Sequence, residues 1–137
     1  MDLTPLLETS LQIKTHVVAV IGAMLLGLVI FLNRKGTSFH KTLGWTFVTL
    51  MTITAVSAVF IRRAPGDGFP SIAGFTPIHL FVVLTAVALP MGIAHIKNGR
   101  VARHASTMIG LFVGAIVIAG ILAFLPGRIM HQVVFGG

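Results

Sequence analysis

Four of the six histidines in this 137-residue chain recur in one register. Imidazole is the side chain best suited to ligate a transition metal or a haem iron. His16 and His79 stand near the starts of two apolar runs, and His40 and His104 open the runs that follow them. The offsets are 79 − 16 = 63 and 104 − 40 = 64, and the loop glycines give 99 − 36 = 63. Two hairpins of one design thus follow each other, a parallel internal repeat. A neutral imidazole gives one nitrogen lone pair to iron and keeps the other nitrogen for a hydrogen bond. Two inward imidazoles on facing helices could hold a metal between them. His95 lies outside the register and reads as an interfacial residue, an alternative ligand or a proton carrier. His131 follows the fourth run and reads as exposed.

The elements that position these histidines follow from composition. Hydrophobic residues make up 55 % of the chain, charged residues 9 %, and mean hydropathy is +0.99. A soluble domain carries about 25 % charged residues, so a soluble enzyme is excluded. A membrane-spanning helix needs about 20 apolar residues, and four runs qualify, over residues 11–32, 39–61, 77–96 and 104–125. None contains Asp or Glu. The runs are continuous rather than alternating, so helices are expected and not barrel strands. The expected fold is all-α: a polytopic membrane protein whose residues 1–137 form one transmembrane domain, a four-helix bundle of two similar hairpins. Asp2 and Glu8 precede the first run, which therefore reads as a retained helix rather than a signal peptide.

No cysteine occurs, which removes disulfides, thiolate metal sites and covalent c-type haem. Ten Lys and Arg oppose three acids, for a net charge of +7. They flank the apolar runs, so anionic lipid headgroups explain them better than nucleic acid does. The two short loops hold Arg34, Lys35, Lys41, Lys97, Arg100 and Arg103, against Lys14, Arg62, Arg63 and Arg128 on the other side. The positive-inside rule then places the short loops in the cytoplasm and both termini outside a prokaryotic cytoplasmic membrane. Pro65, Gly66, Asp67, Gly68 and Pro70 mark turns in the long connection, and Thr76 with Pro77 marks a helix start.

Short loops favour up-down order, with helices one and three, and two and four, on the diagonals. His16 would then pair with His79 near one membrane face, and His40 with His104 near the other. Rows of residues rise above each histidine: Val20, Ala23 and Gly27; Gly44, Phe47, Met51 and Ala55; Val83, Ala86 and Pro90; Met108, Leu111 and Ala115. Small members leave room for a flat macrocycle or for close helix packing. Arg62, Arg63, Lys41, Lys97, Arg100 and Arg103 are candidate partners for haem propionates. His104 and Met108 at i, i+4 could also face a soft metal such as copper. Trp45 reads as an interfacial anchor. Pro90 and Gly92 are expected to bend the third helix.

The segment from His16 to His40, with Arg34, Lys35 and Gly36 before His40 and Gly44 after it, resembles a family of small predicted membrane proteins, domain of unknown function 2306. His79 to Met108 resembles its second half. The histidine pattern is also similar to cytochrome b-561 cores. That likeness implies haem b, two per chain, with His16, His79, His40 and His104 as axial ligands. It further implies transmembrane electron transfer from a quinol or soluble donor, a haem-dependent membrane oxidoreductase. The hairpin spacing is shorter here than in that family. No Walker loop, nucleophile elbow or intramembrane carboxylate pair occurs. Two other readings stand beside the cytochrome. One is a non-enzymatic accessory or small-molecule- or metal-binding bundle without haem, in a homodimer or larger complex. The other is passage of a metal or metabolite through the bundle.

Overall fold

The computed structural model describes residues 2–62, 72, 73 and 75–136. The turn residues 65–68 and Pro70, together with Arg63, lie outside them. Helix α1 covers Thr4–Leu7, α2 Leu11–Leu32 and α3 Ser38–Phe60. A 3-10 turn over Pro77–His79 leads into α4, Leu80–Lys97. Helix α5 covers Val101–Ala123 and carries a π-helical stretch, Phe112–Ile118; α6 covers Ile129–Phe135. Among the described residues, the only extended pairing is a single bridge between Ile72 and Phe75.

Four of these elements are long and apolar enough to cross a membrane: Leu11–Leu32, Ser38–Phe60, Pro77–Lys97 and Val101–Ala123. The protein is an all-α polytopic membrane protein. At 1.5 Å per residue, the 22-residue α2 is about 33 Å long, the thickness of a hydrocarbon core. The fourth span begins at Val101, three residues before His104, so His104 sits inside the first turn.

The two hairpins close by the same local chemistry. Helix α2 ends where Asn33 Nδ2 donates to Val29 O at 2.7 Å, and α4 ends where Asn98 Nδ2 donates to Ala94 O at 2.8 Å. Each loop then passes through a glycine at positive φ, Gly36 at 80° and Gly99 at 69°, which a side chain would strain. Lys35 Nζ donates at 2.7 Å to each of Ile30 O, Phe31 O and Asn33 O, so its charge caps α2. Thr37 starts α3 by accepting the His40 N–H at 3.1 Å.

Helices α2 and α3 pack as one hairpin and α4 and α5 as the other; α3 meets α4, and α2 meets the π-helical stretch of α5. The ring is therefore square, and the diagonals are α2 with α4 and α3 with α5. Both short loops lie at one end, the loop end. Helices α1 and α6, the end of α3 and the start of α4 lie at the other, the terminal end. There α1 packs on α6, and Asp2 N donates to Val133 O at 2.9 Å.

The bundle interior is filled by Ala23, Phe47, Met51, Ala88, Leu89, Leu111, Phe112, Ala115 and Ile116. Close helix approach depends on three glycines: Gly27 beneath the Phe112 ring, Gly92 beneath Met108 and Gly114 beneath Leu84. Lipid is as apolar as leucine, so such close contacts, rather than expulsion of water, hold helices together here. Leu25, Leu28, Val83, Val87 and Ile121 point outward, as a lipid-facing surface requires.

Candidate functional site

Three of the four histidine rows face the interior. Ala23 and Gly27 are buried on α2, Phe47 and Met51 on α3, and Leu111 and Ala115 on α5. The row above His79 does not: Val83, Ala86 and Pro90 are all exposed. The buried face of α4 is Thr85, Ala88, Leu89 and Gly92. Continued by one turn, it reaches the half-buried His95. The expectation that His79 heads an inward row is thus corrected. The 3-10 turn at Pro77–His79 winds about three residues per turn, and the tight seats at Gly92 and Gly114 fix the helix rotation instead.

Hydrogen bonds settle what each imidazole can offer. His16 Nδ1 lies 3.0 Å from Thr54 O and 3.1 Å from Ser57 Oγ. A carbonyl can only accept, so Nδ1 carries the proton and Nε2 keeps its lone pair. The Ser57 hydroxyl in turn donates to Ile53 O at 2.7 Å. His79 is the opposite tautomer. Its Nδ1 accepts the Thr76 N–H at 3.0 Å, and its Nε2–H donates to Ile61 O at 3.1 Å. His79 thus joins the end of α3 to the start of α4, and both of its nitrogens are engaged. The Phe75 ring lies edge-on against it, 5.0 Å between centroids, and Arg62 sits over Phe75 at 4.8 Å. A bis-histidine iron site from His16 and His79 does not fit this arrangement.

The loop end differs. His104 Nδ1–H donates to Gly92 O at 2.8 Å, which leaves its Nε2 lone pair available. A backbone carbonyl behind the ring is the usual support of a metal-ligating histidine. His40 Nδ1 is buried and has no hydrogen-bond partner among the described residues. Buried polar nitrogens are rarely left so. His40 and His104 both stand in the first turn of their helices, at the loop end. One turn above His40, the space that a Cβ on Gly44 would enter is open. The loop end thus presents two imidazoles that could hold a haem iron, whereas the interior above them is filled by Phe47 and Met51. No cluster of three or more His, Asp or Glu able to hold a metal ion occurs among the described residues.

Lys41, Lys97, Arg100 and Arg103 are exposed at this end, and Arg62 at the other. Met108 packs onto Gly92, where a Cβ would come within 2.6 Å of its sulfur; this is a packing role. Trp45 is 58 % exposed near the loop end. His131, expected to be exposed, is half-buried: Nδ1–H donates to Phe124 O at 2.9 Å, and the ring lies 4.9 Å from that of Phe135. His95 Nδ1 and the Thr107 hydroxyl share a hydrogen bond at 3.3 Å. The partners Thr54, Ser57, Gly92 and Thr107 had escaped sequence reasoning. For Thr85, Ala88, Gly92 and His95 a signal existed, since their 3-4-3 spacing marks a packing seam.

Two open grooves indent the surface. One, of about 680 Å³, is lined mainly by Val59, Phe75, Thr76, His79 and Val83; the other, of about 390 Å³, lies between Leu11, Thr15, Thr52 and Ser57. Neither brings two histidines together. No curated protein and no solved structure matches the chain. Residues 13–135 match the family described as predicted membrane protein, DUF2306. With the four membrane-length helices already on the page, the chain belongs to that family of membrane proteins, whose function is unknown.

Proposed function

We propose that this protein is a small b-type membrane cytochrome with one haem at the loop end, held by His40 and His104. The observation that carries the reading is His40 Nδ1, buried without a partner among the described residues, at the same end of the bundle as an imidazole already oriented by Gly92 O. When bound, the haem supplies a one-electron couple, and two histidine ligands keep oxygen away from the iron. The chain's own residues do the rest. Gly92 O holds the His104 ring and raises the basicity of its free nitrogen. Gly44 leaves room beside His40. Lys41, Arg100 and Arg103 offer cations to the propionates. A quinol or a soluble donor would deliver the electron. His16 and His79 serve here as packing and capping residues, which narrows the two-haem expectation to one.

A reduced-minus-oxidised spectrum of the purified protein, with haem quantified by extraction, tests this. One b-type haem per chain is expected, lost in His40→Ala and in His104→Ala and retained in His79→Ala. A colourless protein from cells supplied with haem overturns the reading.

The filled interior and the engagement of both His79 nitrogens favour a second reading, a binding or accessory bundle without haem. It predicts a colourless protein in which all histidine replacements have small effects.

A further inference from the structure

Asp2 and Glu8 lie at the terminal end, and none of the three acidic residues belongs to the two short loops. The loop end carries cations on every helix: Arg34 after α2, Lys41 on α3, Lys97 on α4, and Arg100 and Arg103 around the start of α5. All five are exposed. Lys35 stands apart, because its ammonium is already bonded to three carbonyls. Large apolar side chains alternate with the collar. Phe39 is 55 % exposed, Trp45 58 % and Val101 61 %. Lys41 and Trp45 lie one helical turn apart on the same face.

We propose that this collar binds the phosphate headgroups of anionic phospholipid. Charge complementarity selects an anion, since the two short loops carry no Asp or Glu to pair with the five cations. The interleaved Phe39, Trp45 and Val101 select lipid over an acidic soluble protein. A soluble partner would leave these side chains against water, whereas a phospholipid meets the cations with its phosphate and the apolar groups with its acyl chains. Each cation at such a surface is worth roughly a five-fold gain in lipid affinity.

Trp45 is the one tryptophan in the chain, so its fluorescence reports on this site alone. The full chain is reconstituted in vesicles of phosphatidylcholine with one-fifth phosphatidylglycerol. Either the phosphatidylglycerol or an equal amount of phosphatidylcholine carries brominated, quenching acyl chains. At least about two-fold stronger quenching by the brominated anionic lipid is expected, weakening as salt screens the charges. The preference should fall in the Lys41→Gln, Arg103→Gln double variant, each lost cation costing roughly five-fold in lipid affinity, and persist in Lys35→Gln. Circular dichroism of each variant establishes that the helices are retained, and Lys41→Arg should keep the preference. Equal quenching by the two lipids in the unaltered protein overturns the proposal, as does a preference that the double replacement leaves unchanged.

Discussion

His104 donates its Nδ1–H to the carbonyl of Gly92 at 2.8 Å, across the interface between α4 and α5. The bond turns a loop-end histidine into an oriented Nε2 donor, and it needs the close helix approach that Gly92 permits. Its consequence is readable by nitrogen-15 NMR of histidine-labelled protein. His16 and His104 should carry the proton on Nδ1, because each faces a carbonyl through that nitrogen, and His79 on Nε2, because its Nδ1 accepts the Thr76 N–H. A shared tautomer for all three would contradict the assignment.

His79→Ala separates a structural histidine from a ligand. It removes the acceptor for Thr76 N–H and the donor to Ile61 O. At about 1 kcal/mol per hydrogen bond, the loss should be about 1–3 kcal/mol of stability. Denaturation in mixed micelles measures it, while the haem content of the folded fraction should not change.

Two glycines should respond oppositely to a single methyl group. A Cβ on Gly27 runs into the Phe112 ring and lies 3.4 Å from Phe47, and rings cannot yield as a flexible chain end does. Gly27→Ala should destabilise the bundle by about 1–3 kcal/mol. Gly44→Ala meets nothing within 4 Å and gains helix propensity, so its effect on stability should be neutral or favourable by up to about 1 kcal/mol. Its haem content should fall, since the methyl group occupies the space proposed for the macrocycle. Comparing midpoints and haem content of the two variants checks both statements.

Asp2 offers a pH-dependent contact outside the spans. The Thr4 hydroxyl and then the Thr4 N–H hold its carboxyl below the ordinary 3.8. A depressed carboxylate contributes stability above its unfolded pKa and loses it as pH falls through the folded value. The cap that Asp2 places on the start of α1 should therefore persist at neutral pH and loosen only below about pH 4. Carbon-13 titration should place the Asp2 midpoint below 3.8, and Asp2→Asn should make the α1 signals insensitive to acid.

The apolar runs alone determined the four helices, because length and hydropathy are sufficient to specify membrane spans. The loop chemistry was equally legible: Gly36, Gly99 and Pro77 each mark a local backbone requirement, and each stands where the structure uses it. The square order followed from short loops. Rotation of the helices about their axes did not follow, and α4 is the instructive case. Lipid and protein interior are equally apolar, so Val83, Ala86 and Pro90 look no different from Ala88 and Leu89 along the chain. Only the seats at Gly92 and Gly114, with Met108 and Leu84 pressed against them, decided which face turned inward. That decision left His79 to cap the helix and aligned His95 with the buried face, while the α4–α5 interface tied His104 to Gly92 O. The histidine register was a property of the sequence; which of those imidazoles keep a free nitrogen was a property of the packed bundle.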